Sequence, residues 1–187
     1  MRIFLIRHPE TTWNEKGLFQ GSKEGKISRA GKIETKKFVF DNRNTKIDLI
    51  YCANNRRCGY LAKILSKFHP EAKIKIDNRL NERSFGNLEG LPERVFAVNT
   101  RFKPNAFVKR YKWRPKGGES LEQVAPRVKS FLNDLAVYEK WNKIVFIITS
   151  GGIIKLILYI LKLKDLKDAV SIKTKSLEVF QIPLIKN

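Results

Sequence analysis

The chain has 187 residues, 42% of them hydrophobic, which suits one domain over 1–187 with a sizeable core, and no linker, repeat or low-complexity tract divides it. Thirty-eight Lys and Arg against eighteen Asp and Glu give a formal net charge of +20, a field that recruits anions such as phosphorylated metabolites or nucleic acid, although lysines scattered along the whole chain fit a plain solvated surface equally well. Two cysteines are too few for a disulfide framework, and the apolar runs are too short for a signal peptide or a membrane span, so a cytoplasmic protein with no membrane contact is expected.

Met1 to Arg7 (MRIFLIR) reads as a buried strand that ends abruptly on charge. Ser28 to Phe40 opens on an N-cap residue and has helical character. Ile47 to Cys52 is a second strand, followed by a helix from about Asn55 to Phe68, and Ala72 to Ile76 alternates like a strand. Glu119 to Lys140 predicts a long helix, entered through Gly117-Gly118, with Leu121, Val124, Val128, Phe131, Leu132 and Leu135 near helical spacing. Ile144 to Thr149 is the most apolar strand, Gly151-Gly152 leads into a helix over Ile153 to Leu163, and Ser176 to Ile182 is a last strand.

This alternation argues for an α/β fold, a three-layer sandwich whose mostly parallel central sheet is flanked by helices. Ligands of such sheets sit at the carboxyl ends of strands, where loops meet helix N-termini. The first strand ends on Arg7-His8, the second just before Asn54-Asn55-Arg56-Arg57, and the strand from Ile144 on Ser150-Gly151-Gly152. Three polar ends therefore converge on one candidate site.

Several segments, in order, resemble one known family. RHPETTWNEKGLFQG, from Arg7 to Gly21, is similar to the RHGET…N…QG signature of the histidine phosphatase superfamily, with Pro9 where glycine is usual. YCANNRRCGYLAKIL resembles its strand-to-helix segment, LNERSFGNLEG its acid-bearing loop, GGESLEQVAPRV its GGES helix start and TSGGIIKLIL its final strand turn. The resemblance spans nearly the whole chain and implies a phosphoglycerate-mutase-like fold acting on a small phosphorylated substrate. By it, His8 accepts the phosphoryl group, Arg7 and Arg57 bind the phosphate, Asn14 and Gln20 donate neutral hydrogen bonds, and Gly151 lies at the phosphate. Glu82 is the proton donor and acceptor. The chemistry agrees: phosphoryl transfer needs mainly positioning and charge neutralisation, planar guanidinium forks suit phosphate, and a neutral imidazole can attack phosphorus. No compact His, Asp or Glu cluster suggests a metal, no cofactor is expected, and a homodimer is compatible with the pattern.

The pattern breaks at Ser150, which stands where the family carries a second histidine. Serine keeps one O–H donor but loses the cation, at a cost of about 10²–10³-fold in rate by analogy with the loss of one transition-state donor. It fits either a deliberate replacement that traps substrate or a naturally weakened or repurposed protein. His69, the other histidine, lies outside every motif and reads as structural or solvated. Arg101 to Lys116 holds seven basic and no acidic residues interleaved with aromatics, and a segment at about 91–116 reads as a cap over the pocket rather than a platform for nucleic acid. The expected activity is a metal-independent phosphatase working through phospho-His8. A phosphoglycerate mutase, and a non-catalytic module binding phosphate or nucleic acid, are the alternatives.

Overall fold

The computed structural model describes residues 1–94, 111–138 and 142–183. The apolar runs become the strands β1 (Arg2–Arg7), β2 (Leu49–Cys52), β3 (Lys73–Ile76), β4 (Ile144–Thr149) and β5 (Val179–Ile182). They form one five-stranded sheet in the order β3-β2-β4-β1-β5. The first four are parallel, and β5 runs antiparallel along the outer edge of β1. All six residues of β4 are buried, which is what a central strand covered on both faces demands and why IVFIIT is apolar without alternation. At the opposite edge β3 is exposed along its length, and Lys73 and Lys75 keep it from pairing with another chain.

The helices are α1 (Thr12–Glu15), α2 (Arg29–Asp41), α3 (Arg56–Phe68), α4 (Leu121–Tyr138), α5 (Gly151–Ile160) and α6 (Leu166–Ser171). Short polar side chains start them, as an orphan N–H requires. Ser28 Oγ accepts from Gly31 N at 2.9 Å, Asn55 Oδ1 from Cys58 N at 2.9 Å, and Asp165 Oδ1 from Asp168 N at 2.7 Å. Ser120 and Gln123 form a reciprocal capping box on α4, with bonds of 3.1 and 3.0 Å. The periodic residues of α4 (Val124, Val128, Phe131, Leu132 and Leu135) join Leu61 and Leu65 of α3, Ile153 and Ile157 of α5 and the strand residues Ile3, Leu5 and Ile147 in one buried cluster. Three-layer packing with a mostly parallel sheet is the outcome. Among the described residues no helix is long and apolar enough to cross a membrane.

The differences from expectation lie at ends and between elements. β2 begins at Leu49 rather than Ile47, because Asp48 turns its carboxylate onto the neighbouring strand, where Oδ2 accepts from Ile144 N at 2.7 Å. β5 is confined to Val179–Ile182, because Leu177 has a positive φ of 58° and breaks the extended run. α5 starts at Gly151 instead of Ile153 and ends at Ile160. The short helices α1 and α6 are additional.

The Asp48 contact has a pH signature. Its carboxyl is held below the ordinary aspartate value, chiefly by the Ile144 N–H and also by Lys46, against the opposing pull of burial. A lowered native pKa stabilises the fold above the unfolded value of about 3.9 and is lost as pH falls through the native value. Asp48→Asn is expected to lower the unfolding free energy by about 1 kcal/mol at neutral pH. In urea titrations at a series of pH values, that difference should shrink below about pH 4.

Candidate active site

The strand ends open into a cavity of about 690 Å³. Arg7, His8, Asn14, Gln20, Arg57, Glu82, Ser150 and Gly151, the site residues expected from the sequence, all line it. Its walls also include Phe19, Arg83, Phe85, Glu93, Trp113, Lys155 and the stretch from Val170 to Thr174.

His8 continues the β1–β4 ladder by one residue, its N–H donating to Thr149 O at 2.9 Å, and the side chain is buried. Its Nδ1 lies 2.7 Å from the carbonyl of Pro9. A carbonyl only accepts, so Nδ1 carries the proton and Nε2 keeps its lone pair. Burial, then Arg57 and Arg7, push the imidazole well below the ordinary histidine pKa, and the Pro9 bond only partly opposes them. His8 is a neutral nitrogen base in a cationic surround.

Arg57 and Arg56 differ sharply: Arg57 is 2% exposed, whereas Arg56 is exposed to solvent. The Arg57 fork donates to Gly21 O at 2.8 Å and Lys23 O at 3.1 Å. These carbonyls come from the loop after α1, where Gly21 has φ +55° and faces the Glu89 carboxylate so closely that a Cβ would strike it. Arg7 donates from Nη1 to Thr174 O. Among the described residues, Arg7 Nε, Arg57 Nε and Ser150 Oγ are buried without a hydrogen-bond partner. Leaving such groups unpaired costs about 1–3 kcal/mol each, more when charged, and in residues lining one cavity it marks a site shaped for an anion.

The amide pair divides in a way the motif does not reveal. Asn14 Oδ1 accepts from Thr11 N at 3.1 Å and Thr11 Oγ1 at 3.0 Å, so its NH₂ is the end left for the cavity. Gln20 is satisfied with Nε2 donating to Thr11 Oγ1 at 2.9 Å and Oε1 accepting from Gly25 N at 2.9 Å and Arg57 Nη1 at 3.1 Å. Gln20 thus orients Arg57 through its carbonyl oxygen, and only its second N–H matches the donor role expected for it.

Glu82 is presented by a loop clamped from two sides. Thr149 Oγ1 donates to Leu80 O at 2.7 Å, and the half-buried Arg127 of α4 donates to Arg79 O at 2.5 Å and Asn81 O at 2.6 Å. The carboxylate accepts from Arg83 N at 2.9 Å and from Gly152 N, in the first turn of α5, at 3.0 Å. A Cβ on Gly152 would overlap it, which explains the second glycine of Gly151-Gly152. Arg83 lies 4.6 Å from the Phe85 ring centroid and 5.2 Å from that of Trp113, and donates to Trp113 O at 3.2 Å. Trp113 therefore belongs to the cavity wall, but residues 95–110 of the expected cap lie outside the described residues.

Glu89, Arg127, Thr149 and Thr174 were not apparent from the sequence. Glu89 accepts from Ser22 N (3.0 Å), Ser22 Oγ (2.9 Å), Ser84 Oγ (3.1 Å) and Phe85 N (2.9 Å), tying the Arg57-holding loop to the Glu82 loop. Its place in LNERSFGNLEG is the one available signal. His69 caps the end of α3, is not among the residues lining the cavity, and is buried rather than solvated. Cys52 and Cys58 are buried, their thiols pushed up to about 11 and about 12 by burial. Among the described residues no group of three His, Cys, Asp or Glu could hold a metal ion.

A family model described as histidine phosphatase superfamily (branch 1) matches residues 3–183. The chain is 28% identical over 163 residues to the metal-independent phosphoserine phosphatase of Arabidopsis thaliana, covering 83% of this chain and 66% of that protein. It is 29% identical over 150 residues to phosphoserine phosphatase 1 of Hydrogenobacter thermophilus, covering 80% and 70%. The solved mycobacterial glucosyl-3-phosphoglycerate phosphatase superposes with a TM-score of 0.83 at 23% identity over 96% of this chain and 90% of that one, a likeness of fold.

The depressed His8 pKa predicts that its imidazole does not titrate near the ordinary value of about 6.5 when followed by NMR. The sign for stability follows: above that value His8 is neutral in both states, and below it the unfolded chain takes up a proton that the native site refuses. Stability should therefore fall toward acid with a slope approaching about 1.4 kcal/mol per pH unit, a component that His8→Ala removes.

Proposed function

The chain belongs to the histidine phosphatase superfamily, and we propose that it is a metal-independent phosphomonoesterase that forms a phosphohistidine on His8, slowed by serine at position 150. The observation that carries this reading is the set of buried donors without partners, Arg7 Nε, Arg57 Nε and Ser150 Oγ, in residues that share one cavity with a neutral imidazole.

In the first step, His8 Nε2 attacks phosphorus in line. The N–P bond forms as the ester P–O bond breaks, and Glu82 passes its proton to the departing oxygen. In the second, Glu82 takes a proton from water, the water oxygen attacks phosphorus, and the N–P bond breaks to return neutral His8 and free phosphate. Arg7 and Arg57 hold the equatorial oxygens with charge-assisted bonds, and the Asn14 NH₂ adds a neutral donor. Glu82 is kept in reach by the Gly152 N–H and by the Thr149 and Arg127 clamps on its loop. Ser150 Oγ adds one donor without charge, which is the physical basis for the reduced rate.

The phosphatase names of the sequence relatives support a phosphomonoester substrate. Trp113 and Arg83 at the wall fit a leaving group bulkier than a methyl ester.

A phosphatase panel, with acid-labile and base-stable label sought on the protein, tests the reading. Label and turnover should both vanish in His8→Ala, and Ser150→His should raise kcat/KM by up to about 10²-fold. Turnover that survives His8→Ala would overturn the mechanism. Transfer of the phosphoryl group to a second hydroxyl of phosphoglycerate would identify a mutase instead. Salt-dependent oligonucleotide binding without turnover would identify a binding module.

A further inference from the structure

Gly151 and Gly152 open α5, and each makes room for one side chain from another element. The space of the missing Gly152 Cβ is taken by the Glu82 carboxylate. The space of the missing Gly151 Cβ is taken in the same way by the hydroxyl of Thr174, which a methyl group there would strike. Arg7 Nε lies 3.7 Å from that same point, so the Thr174 hydroxyl and the Arg7 guanidinium flank one spot at the start of the helix. One glycine thus seats the proposed acid. The other seats a residue whose carbonyl alone has had a role so far.

The main chain fixes Thr174 against Arg7. Its carbonyl accepts from Arg7 Nη1. The turn that follows folds back on the end of β1, with Leu177 N donating to Arg7 O at 3.1 Å and Arg7 N to Glu178 O at 3.2 Å. Glu178 closes that turn, its Oε2 accepting from Lys175 N at 2.6 Å. The hydroxyl is the end left over. Thr174 is half-buried and lines the cavity, and among the described residues its Oγ1 has no hydrogen-bond partner. Ser171, a hydroxyl of the same wall, differs: its Oγ donates to Lys167 O at 2.7 Å. A hydroxyl that gives nothing to the protein keeps its O–H for a ligand. The branched side chain of threonine is stiff at χ1, which holds that donor in one direction.

We propose that Thr174 is a further residue in contact with the phosphoryl group, its Oγ1–H donating to the oxygen that Arg7 Nε also faces. The inference rests on the phosphomonoesterase reading and adds a residue to it. The donor is neutral and keeps its hydrogen throughout, so it changes neither the charge of the site nor the proton transfers of Glu82. What it adds is direction: Arg7 supplies the charge on that side of the anion, and the hydroxyl fixes where the oxygen sits. Gly151 is then required by a side chain that binds, as Gly152 is by the carboxylate of Glu82.

Thr174→Val, Thr174→Ala and Thr174→Ser test it in the full chain. Valine keeps the branched shape and the carbonyl that holds Arg7 while removing the donor, and alanine does the same without setting a methyl group against Gly151. The readouts are kcat/KM on p-nitrophenyl phosphate across pH, the Kd for orthovanadate, and the melting temperature to establish that each variant folds. Thr174→Val and Thr174→Ala should each lower kcat/KM and weaken vanadate by about tenfold or more, the loss expected for a hydrogen bond to a charged group. The pH profile should keep its shape, because no titrating group has changed. Thr174→Ser, which retains the hydroxyl, should stay within about threefold of native on both measures. Folded valine and alanine variants indistinguishable from native would overturn the proposal, as would a serine variant impaired as much as they are. A displaced pH profile would also overturn it, by placing the effect on His8 or Glu82. A native chain that neither hydrolyses the ester nor binds vanadate would instead sink the phosphatase reading itself, a separate result obtained before any variant is made.

Discussion

The parallel pairing of β1 with β4 is the constraint on which the site depends. Arg7 faces Thr149 at the last rung, and the His8 N–H extends the ladder onto the Thr149 carbonyl. His8 and Ser150 therefore leave the sheet side by side. β2 lies along the other edge of β4, with Cys52 opposite Ile148, so α3 starts next to the same exit and brings Arg57 with it. The Thr149 hydroxyl, buried at the end of β4, holds Leu80 and through it the Glu82 loop. A slip of one residue in this register would turn every side chain of β4 to the other face and separate all four groups. Five of the six residues of β4 are apolar and buried, and the sixth, Thr149, would lose its bond to Leu80 O in such a slip.

Around that frame the protein carries charge where a core would normally exclude it. Arg57 is among its largest fully buried side chains. Its solvation is replaced by backbone carbonyls and the Gln20 amide oxygen, which are neutral and therefore leave the positive charge uncancelled. That choice of partners matters. A carboxylate in the same place would stabilise the arginine more and leave nothing for an anion, whereas dipoles hold the fork in position and keep its field available. Burial, and after it the same field, keeps the imidazole of His8 unprotonated. An uncancelled guanidinium charge and a neutral imidazole thus come from one arrangement, at a cost in stability that the apolar layers absorb.

What is legible in the sequence follows from how locally each feature is determined. The strands announce themselves by unbroken apolar runs, and α3 and α4 by their period and caps, because burial on fixed faces imposes those patterns directly. The eight expected site residues share a motif order, and they meet in one cavity because they follow strand ends. The Gln20 orientation is not legible, since it depends on which neighbours donate and not on the amide itself. Glu89 and Arg127 are silent for a similar reason: Glu89 joins the nearby Ser84 and Phe85 to the distant Ser22, and Arg127 holds carbonyls of a loop distant in sequence. The wall from Val170 to Thr174 contributes largely through backbone, a Thr174 carbonyl for Arg7 and a Val170 carbonyl for Lys155, and any residue can present a carbonyl. Asp48 shortens β2 through a bond to a strand 96 positions away, which no local window registers.

The bond from His8 Nδ1 to the carbonyl of the very next residue, Pro9, has an evolutionary consequence. Many histidine nucleophiles and bases owe their tautomer to a carboxylate supplied from elsewhere in the fold, and substitution of that partner disarms them. Here the orienting group is main chain, one peptide along, and it cannot be removed by exchanging a side chain. The tautomer of His8 is insulated from drift in its surroundings. Neighbouring positions are free to explore other residues while the Nε2 lone pair of His8 stays available, and a lineage can change its side chains around the cavity without losing that tautomer.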